Sequence, residues 1–350
     1  MDFQFAGKDF VRSYHSLGQI QISPDVGTNW SHSYMGSFTS SYGEGRFTER
    51  GYLEAYSSGR GERASAETLK KLPGGEFELV EESGSTRRFT AQGRLIAIGD
   101  PDPKNGVSLS YDVNGRLQRA VDGLGRSLVF AYERGRLISI TLPDGSAASY
   151  TYDDFDNLTR VVRPDGTSRQ YLYAEPGLAP AAGRNLLTGI VEGGARYATF
   201  SYNEKAKVTG SHLWSAGQSV DAITISYNND GSATTVNSLG EVRQNFIGGE
   251  KFRQITQTTD SKGSKSFGFT PYGRPSYTQD ALGNRTSYAY ADSSSGPVSQ
   301  VLTTTEESLG RVTRTVRDSG NRVIEQRVSQ KNAGDEQLVS LDREVLDTAG

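Results

Sequence analysis

An all-β fold is predicted: a long antiparallel sheet of hairpin repeats, curled and hollow. Three observations predict it. Tyr111, Tyr132, Tyr152 and Tyr173 follow one another at intervals of 21, 20 and 21 residues. Each has a large apolar or aromatic partner two positions earlier, Leu109, Phe130, Tyr150 and Tyr171. Glycine-containing turn sequences stand between the pairs, in a chain of 350 residues with 41 Gly, 18 Tyr and 14 Phe. Self-similarity at a fixed period is the mark of a repeat architecture.

Taken in order, the elements of one unit are strand, turn, strand, turn. Residues two apart on a strand share a face, so each aromatic pair supplies two rungs to one buried surface. The pairing continues less regularly as Phe200 and Tyr202, Ile225 and Tyr227, Phe267 and Phe269, and Tyr288 and Tyr290. A turn follows each pair: Val113-Asn114-Gly115-Arg116, Arg134-Gly135-Arg136 and Asp156-Asn157. Leu117, Leu137 and Leu158 come next, and Ala120, Ile140 and Val161 lie three residues beyond. An offset of three breaks strict alternation, which assigns the Leu to a turn edge or β-bulge and the later residue to the core. The second turn contains Gly145 and Gly166, in Pro143-Asp144-Gly145 and Pro164-Asp165-Gly166, and Gly125 and Gly283 hold the same offset before Tyr132 and Tyr290. Proline presets the first turn dihedral and glycine accepts the positive φ that follows.

Three regions depart from the period. Residues 1–72 read as an irregular β lead-in or cap, with Trp30 and a Gly/Ser/Tyr-rich stretch from Ser37 to Gly61. The array occupies residues 73–350, with a surface loop inserted at 175–185. From Val298 the aromatics fade while the turn sequences Leu309-Gly310-Arg311 and Ser319-Gly320-Asn321-Arg322 persist, and the array reads as truncated at Gly350, within a unit. A single hairpin is unstable in water, so neighbours must stack and the array is one cooperative object. At about ten residues per strand, on the order of 25 to 30 strands stacked about 4.8 Å apart give a ribbon about 120 to 145 Å long. A twisted sheet of that length must curl, split or close. Curled through one turn it is about 40 Å across, wider than facing side chains fill, so its interior is hollow or holds something else.

Charge and composition exclude several function classes. Lys plus Arg number 38 against 41 acids, a formal net charge of -3 without like-charge blocks, so no nucleic-acid partner is expected. Cysteine is absent, which excludes disulfides and Cys-ligated metals. No run of 18 apolar residues and no signal peptide is present, so no membrane span is expected and any export route lies outside this sequence. His15, His32 and His212 are too dispersed for a local metal motif. Asp100-Pro101-Asp102-Pro103-Lys104-Asn105-Gly106 and Asp153-Asp154-Phe155-Asp156-Asn157 depart from a calcium loop, the first at Lys104 and Tyr111 and the second at Leu158, and read as turns. No catalytic, cofactor or metal residue is expected, and the chain reads as non-enzymatic.

The unit Tyr111-Asp112-Val113-Asn114-Gly115-Arg116-Leu117, and the run from Leu158 through Asp165-Gly166 to Tyr171-Leu172-Tyr173, resemble the YD repeats of the Rhs family, which also occur in teneurins and insecticidal toxin-complex proteins. Val11-Arg12-Ser13-Tyr14, leading to Gly27-Thr28-Asn29-Trp30-Ser31-His32-Ser33-Tyr34, resembles the opening that precedes those repeats in bacterial Rhs proteins. The resemblance implies a YD-repeat β-spiral or shell, and for this chain a structural shell segment around a C-terminal toxin delivered in bacterial competition or host interaction. It implies as partners the remainder of the shell, a toxin cargo in cis or on a separate chain, and secretion machinery, with a secreted or cell-surface location. The Asp-Pro-x-Gly-Leu type motif that closes family shells has no match here. The alternative is an extracellular adhesion or carbohydrate-binding module that presents the same aromatics outward as a ladder.

Overall fold

The structure, a computed structural model, describes residues 1–16, 24–41, 44–49, 52–57, 60–61, 68–81, 83–237, 242–248, 254–271, 274–292, 298–318, 322–332 and 335–343. Side chains of the Ser37–Gly61 stretch beyond Ser37, the turn residues 319–321 and the last seven residues lie outside that description. The described residues are strands and turns, with two short 3-10 turns at Pro24–Val26 and Pro103–Asn105.

The chain forms the expected antiparallel hairpin array. From the strand Gly36–Ser41 to the strand Asp335–Arg343, each strand lies beside the next in sequence within one sheet. The sheet curves: Ser37 forms an antiparallel bridge with Arg94, at the entry to the strand Leu95–Gly99. Seven strand spacings separate these two strands along the sheet, which is about 34 Å if the sheet were flat. The segment read as a 1–72 lead-in thus has two parts, one outside the sheet and one, from Gly36, that belongs to it.

Within a unit, the offset of three is produced by a bulge. Tyr111 pairs with Leu117, Tyr132 with Leu137, Tyr152 with Leu158 and Tyr173 with Leu187, and each register shifts immediately before the Tyr. The extra residue lets both the Leu and the residue three later face the same side. Leu117 and Ala120, Leu137 and Ile140, and Leu158 and Val161 are all buried, so the Leu belongs to the core as fully as its successor.

Residues 1–16 and 24–35 lie on that apolar side. They form two small sheets, β1 (Phe3–Phe5) with β2 (Lys8–Phe10) and β3 (Arg12–Tyr14) with β4 (Trp30–His32). Phe3, Phe5, Phe10, Trp30, Tyr34 and Met35 join one core cluster with Leu109, Phe130, Tyr150 and Tyr171 of the repeats. The apolar side of these repeats is therefore covered by the chain's own N-terminal segment. The later strands, such as Gln218–Tyr227 and Arg285–Asp292, keep mostly half-exposed or exposed residues on both faces.

Candidate functional site

The first component of the site is a fastening that recurs from repeat to repeat. Each second aromatic of a pair donates its hydroxyl proton to a backbone carbonyl of the preceding unit: Tyr111 to Leu95, Tyr132 to Leu117, Tyr152 to Leu137, Tyr173 to Leu158, and Tyr202 to Leu187. The oxygen distances are 2.5 to 2.9 Å. Burial pushes the Tyr111 phenol up to about 12 and raises those of Tyr132, Tyr152, Tyr173 and Tyr202, so all remain donors at neutral pH.

An aspartate at the start of a turn organises it. Asp112 accepts from the backbone N–H groups of Asn114 and Arg116, and from Arg116 Nε at 2.9 Å. Asp122 does the same with Leu124 and Arg126, Asp153 with Phe155 and Asn157, and Asp280 with Leu282 and Asn284. A carboxylate that accepts this many bonds holds its charge. The backbone bond from Arg116 keeps the Asp112 carboxyl below its usual value, and the side-chain bond from Asn284 does so for Asp280. Arg116, held by Asp112, lies 5.2 Å from the centre of the Tyr132 ring in the next unit, and Arg94 lies 5.0 Å from that of Tyr111. A guanidinium over an aromatic face is attracted by the ring quadrupole. Aspartate, arginine and the following tyrosine thus link one hairpin to the next.

The second component is the seam between β1 to β4 and the repeats. Arg12 donates from Nε and Nη2 to the two carboxylate oxygens of Asp2, at 2.6 and 2.8 Å, and from Nη2 to the Tyr171 hydroxyl at 2.7 Å. Its guanidinium sits 5.2 Å from the Trp30 and Tyr171 rings and 5.8 Å from Tyr150. Burial alone would raise the Asp2 carboxyl, but the bonds from Arg12 outweigh it and hold the group below its usual value. Trp30 donates its indole N–H to the Tyr173 hydroxyl, and its ring meets that of Tyr171 edge-on at 4.8 Å. Tyr14 donates to the carbonyl of Asn185 and accepts from the N–H of Leu187, so the inserted loop's end also touches the N-terminal segment. His32 is 2% exposed, between Phe10 and Phe130.

The residues singled out in the sequence fall into two classes of position. Phe130, Tyr150 and Tyr171 are buried under the N-terminal segment, whereas Tyr111, Tyr132, Tyr152, Tyr173 and Phe200 are partly buried against the same cluster. Tyr202 is half-buried beside Tyr14 of that segment, and Tyr288 and Tyr290 are half-buried too. Gly115, Gly125, Gly135, Gly145, Gly166 and Gly283 all adopt φ between +80° and +86°. Asp102 caps the 3-10 turn and Asp153 its hairpin turn. Among the described residues no cluster of three His, Cys, Asp or Glu side chains could hold a metal ion. Sequence reasoning missed the Asp-to-Arg or Asp-to-Asn clip, although its i, i+4 spacing is legible at Asp112, Asp122, Asp153 and Asp280. It also missed Asp2 and Arg12, for which no local period exists.

The family described as RHS Repeat matches residues 111–147 and 132–168, the stretch in which the tyrosine period, the bulge and the turn clip coincide. Residues 111–168 carry RHS repeats. No curated protein matches the chain. Among solved structures, the crystal structure of TcdB2-TccC3 is similar at 11% identity and a TM-score of 0.44, over 79% of this chain and 18% of that one. The crystal structure of TcdB2-TccC3-TEV matches at 12% identity and a TM-score of 0.45, over 96% and 22%. The Photorhabdus luminescens Tc holotoxin pore carrying a TccC3 mutation matches at 11% identity and a TM-score of 0.43, over 82% and 17%. The chain spans about a fifth of the length of these structures.

Proposed function

We propose that this chain, with its RHS repeats, is a wall segment of a hollow toxin shell, and that β1 to β4 pack its inner face. The observation that carries this reading is the direction of the aromatic pairs. Leu109, Phe130, Tyr150 and Tyr171 turn toward the face covered by the N-terminal segment and are sealed there, while the intervening Ser110, Val129, Ala131, Ser149 and Thr151 are exposed on the other face. A wall needs one face that binds its lining and one that faces solvent. The bridge from Ser37 to Arg94 supports curvature. The half-exposed later strands leave inner surface for contents beyond the N-terminal segment.

The proposed contents are a toxin domain, in cis or on a separate chain, and the proposed setting is a secreted or cell-surface particle used in bacterial competition or against a host. Among the described residues no helix is long and apolar enough to cross a membrane. The role is structural rather than catalytic. Outward sugar stacking is disfavoured because the hydroxyls of Tyr132, Tyr152 and Tyr173 are already engaged and their rings pack on the core.

Protease protection tests the reading. The protein is purified with the shell and toxin parts of its native assembly and challenged with proteinase K. A cargo that survives at least ten times longer inside the assembly than alone is expected; equal cleavage rates overturn enclosure.

A further inference from the structure

The seam between β4 and the repeats contains a titratable group in a position that tolerates only its neutral form. His32 Nδ1 accepts a hydrogen bond from the backbone N–H of Tyr34, at 3.2 Å. Protonation at Nδ1 abolishes that acceptor and sets two donors against each other. The imidazole is 2% exposed, with ring centres 5.2 Å from Phe10 on β2 and 6.1 Å from Phe130 on the repeat strand Ser127–Glu133. The charged groups that act on it are Arg12 on β3, which opposes a second cation, and Asp2, which favours one. Arg12 already engages both carboxylate oxygens of Asp2. Tyr34 and Tyr150 add only neutral phenols, and Asp122 acts on Tyr34.

We propose that His32 is an acid-sensitive latch: its protonation undocks β1 to β4 from the aromatic face while the repeat sheet stays assembled. The undocked segment exposes the imidazole to water, where it binds a proton at its ordinary affinity. The docked segment resists protonation, because burial and then Arg12 lower the group from 6.5 to about 3. The undocked state therefore binds more protons below pH 6.5, so docking weakens progressively as pH falls through that value. Asp2 does not contribute in this window. Its docked affinity lies below its ordinary 3.8, so the stabilisation it supplies is lost only in stronger acid. The latch operates whether or not the wall encloses a cargo.

Amide hydrogen exchange of the full chain, corrected for the intrinsic pH dependence of exchange, tests this at Trp30, Ser33 and Met35. Their N–H groups bond to Gly27, Val11 and His32 carbonyls within the N-terminal segment. Between pH 7.5 and pH 5 the protection of these amides is expected to fall about 30-fold, with protection at the Phe130 and Tyr150 strands retained. In His32→Asn, whose side-chain oxygen replaces Nδ1 as acceptor and does not titrate, protection is expected to stay within about 3-fold over the same range. Unchanged protection in the natural protein, or the same fall in His32→Asn, overturns the latch. If His32→Asn does not fold, the imidazole NMR signals of the natural protein decide. Neutral His32 in the docked state at pH 5 beside a growing undocked population supports the latch; titration of docked His32 near pH 6.5 overturns it.

Discussion

Arg12 and Asp2 form a bidentate pair sealed between the N-terminal segment and the repeats, with side chains only 5% and 2% exposed. Ten residues apart in sequence, they meet beneath Tyr150 and Tyr171, which lie about 150 residues further along the chain. Burial would penalise either charge alone, and the pair persists because each neutralises the other.

Removing one partner should therefore cost more than removing both. Arg12→Met leaves the Asp2 carboxylate buried and unpaired and is expected to destabilise docking by about 3 to 5 kcal/mol. Arg12→Met combined with Asp2→Leu should recover most of that loss. Urea unfolding followed by Trp30 fluorescence, in a Trp214→Phe background, measures both. A single variant no less stable than the double variant contradicts the assignment.

The tyrosine hydroxyls predict a periodic mutational pattern. Tyr132→Phe and Tyr152→Phe each delete one bond to a carbonyl, of Leu117 and Leu137 respectively, and should cost about 1 kcal/mol apiece. The corresponding changes to Ala also remove packed rings and should cost about 3 to 5 kcal/mol. Chemical denaturation of the four variants compares them. A Phe series indistinguishable from the natural protein would remove the hydroxyl from the fastening.

Two glycines separate backbone strain from crowding. Gly145 has φ +86° and open space where a Cβ would lie, so Gly145→Ala should cost only about 1 to 2 kcal/mol of left-handed strain. Gly27 has φ +96°, and a Cβ there would meet the Asp156 carbonyl at 2.9 Å and Tyr152 at 3.1 Å. Gly27→Ala adds a collision across the seam and should be clearly the more damaging, with loss of Trp30–Tyr171 contact visible in near-ultraviolet circular dichroism. Equal melting temperatures for the two variants would contradict this.

The turn carboxylates set a second acid transition below that of the seam. Asp112, Asp122, Asp144, Asp165 and Asp280 all hold their protons less tightly in the fold than the ordinary 3.8. Groups depressed in this way stabilise above pH 3.8 and lose that contribution as pH falls through their folded values. Far-ultraviolet circular dichroism is therefore expected to stay constant from pH 7 to pH 4 and to change below that. Loss of β signal already at pH 5 would show that the turns do not hold the array.

Much of this architecture was legible because its period is local. Tyr111, Tyr132, Tyr152 and Tyr173, each with its partner two residues before, express the strand alternation directly, and the glycines mark positive φ. The offset from Leu137 to Ile140 pointed to a bulge because alternation could not accommodate it. The acceptors of the tyrosine hydroxyls were not legible, since a backbone carbonyl carries no residue identity. Neither was the seam: Asp2, Arg12 and Trp30 meet Tyr150, Tyr171 and Tyr173 only through the curvature of the sheet, which no short-range spacing encodes. The strand arithmetic anticipated a space to be filled, but not that the chain's own first residues fill part of it.

The inward direction of the aromatic face is the claim on which the shell reading depends, and the absence of native cysteine makes it directly measurable. Ala148 is fully buried beside Tyr150, whereas its neighbour Ser149 is exposed on the opposite face of the same strand. Maleimide labelling of Ala148→Cys and Ser149→Cys in the folded protein should differ by about 100-fold or more, with Ser149→Cys the faster. Equal rates, or faster labelling at position 148, would place the aromatic face outward and contradict the account.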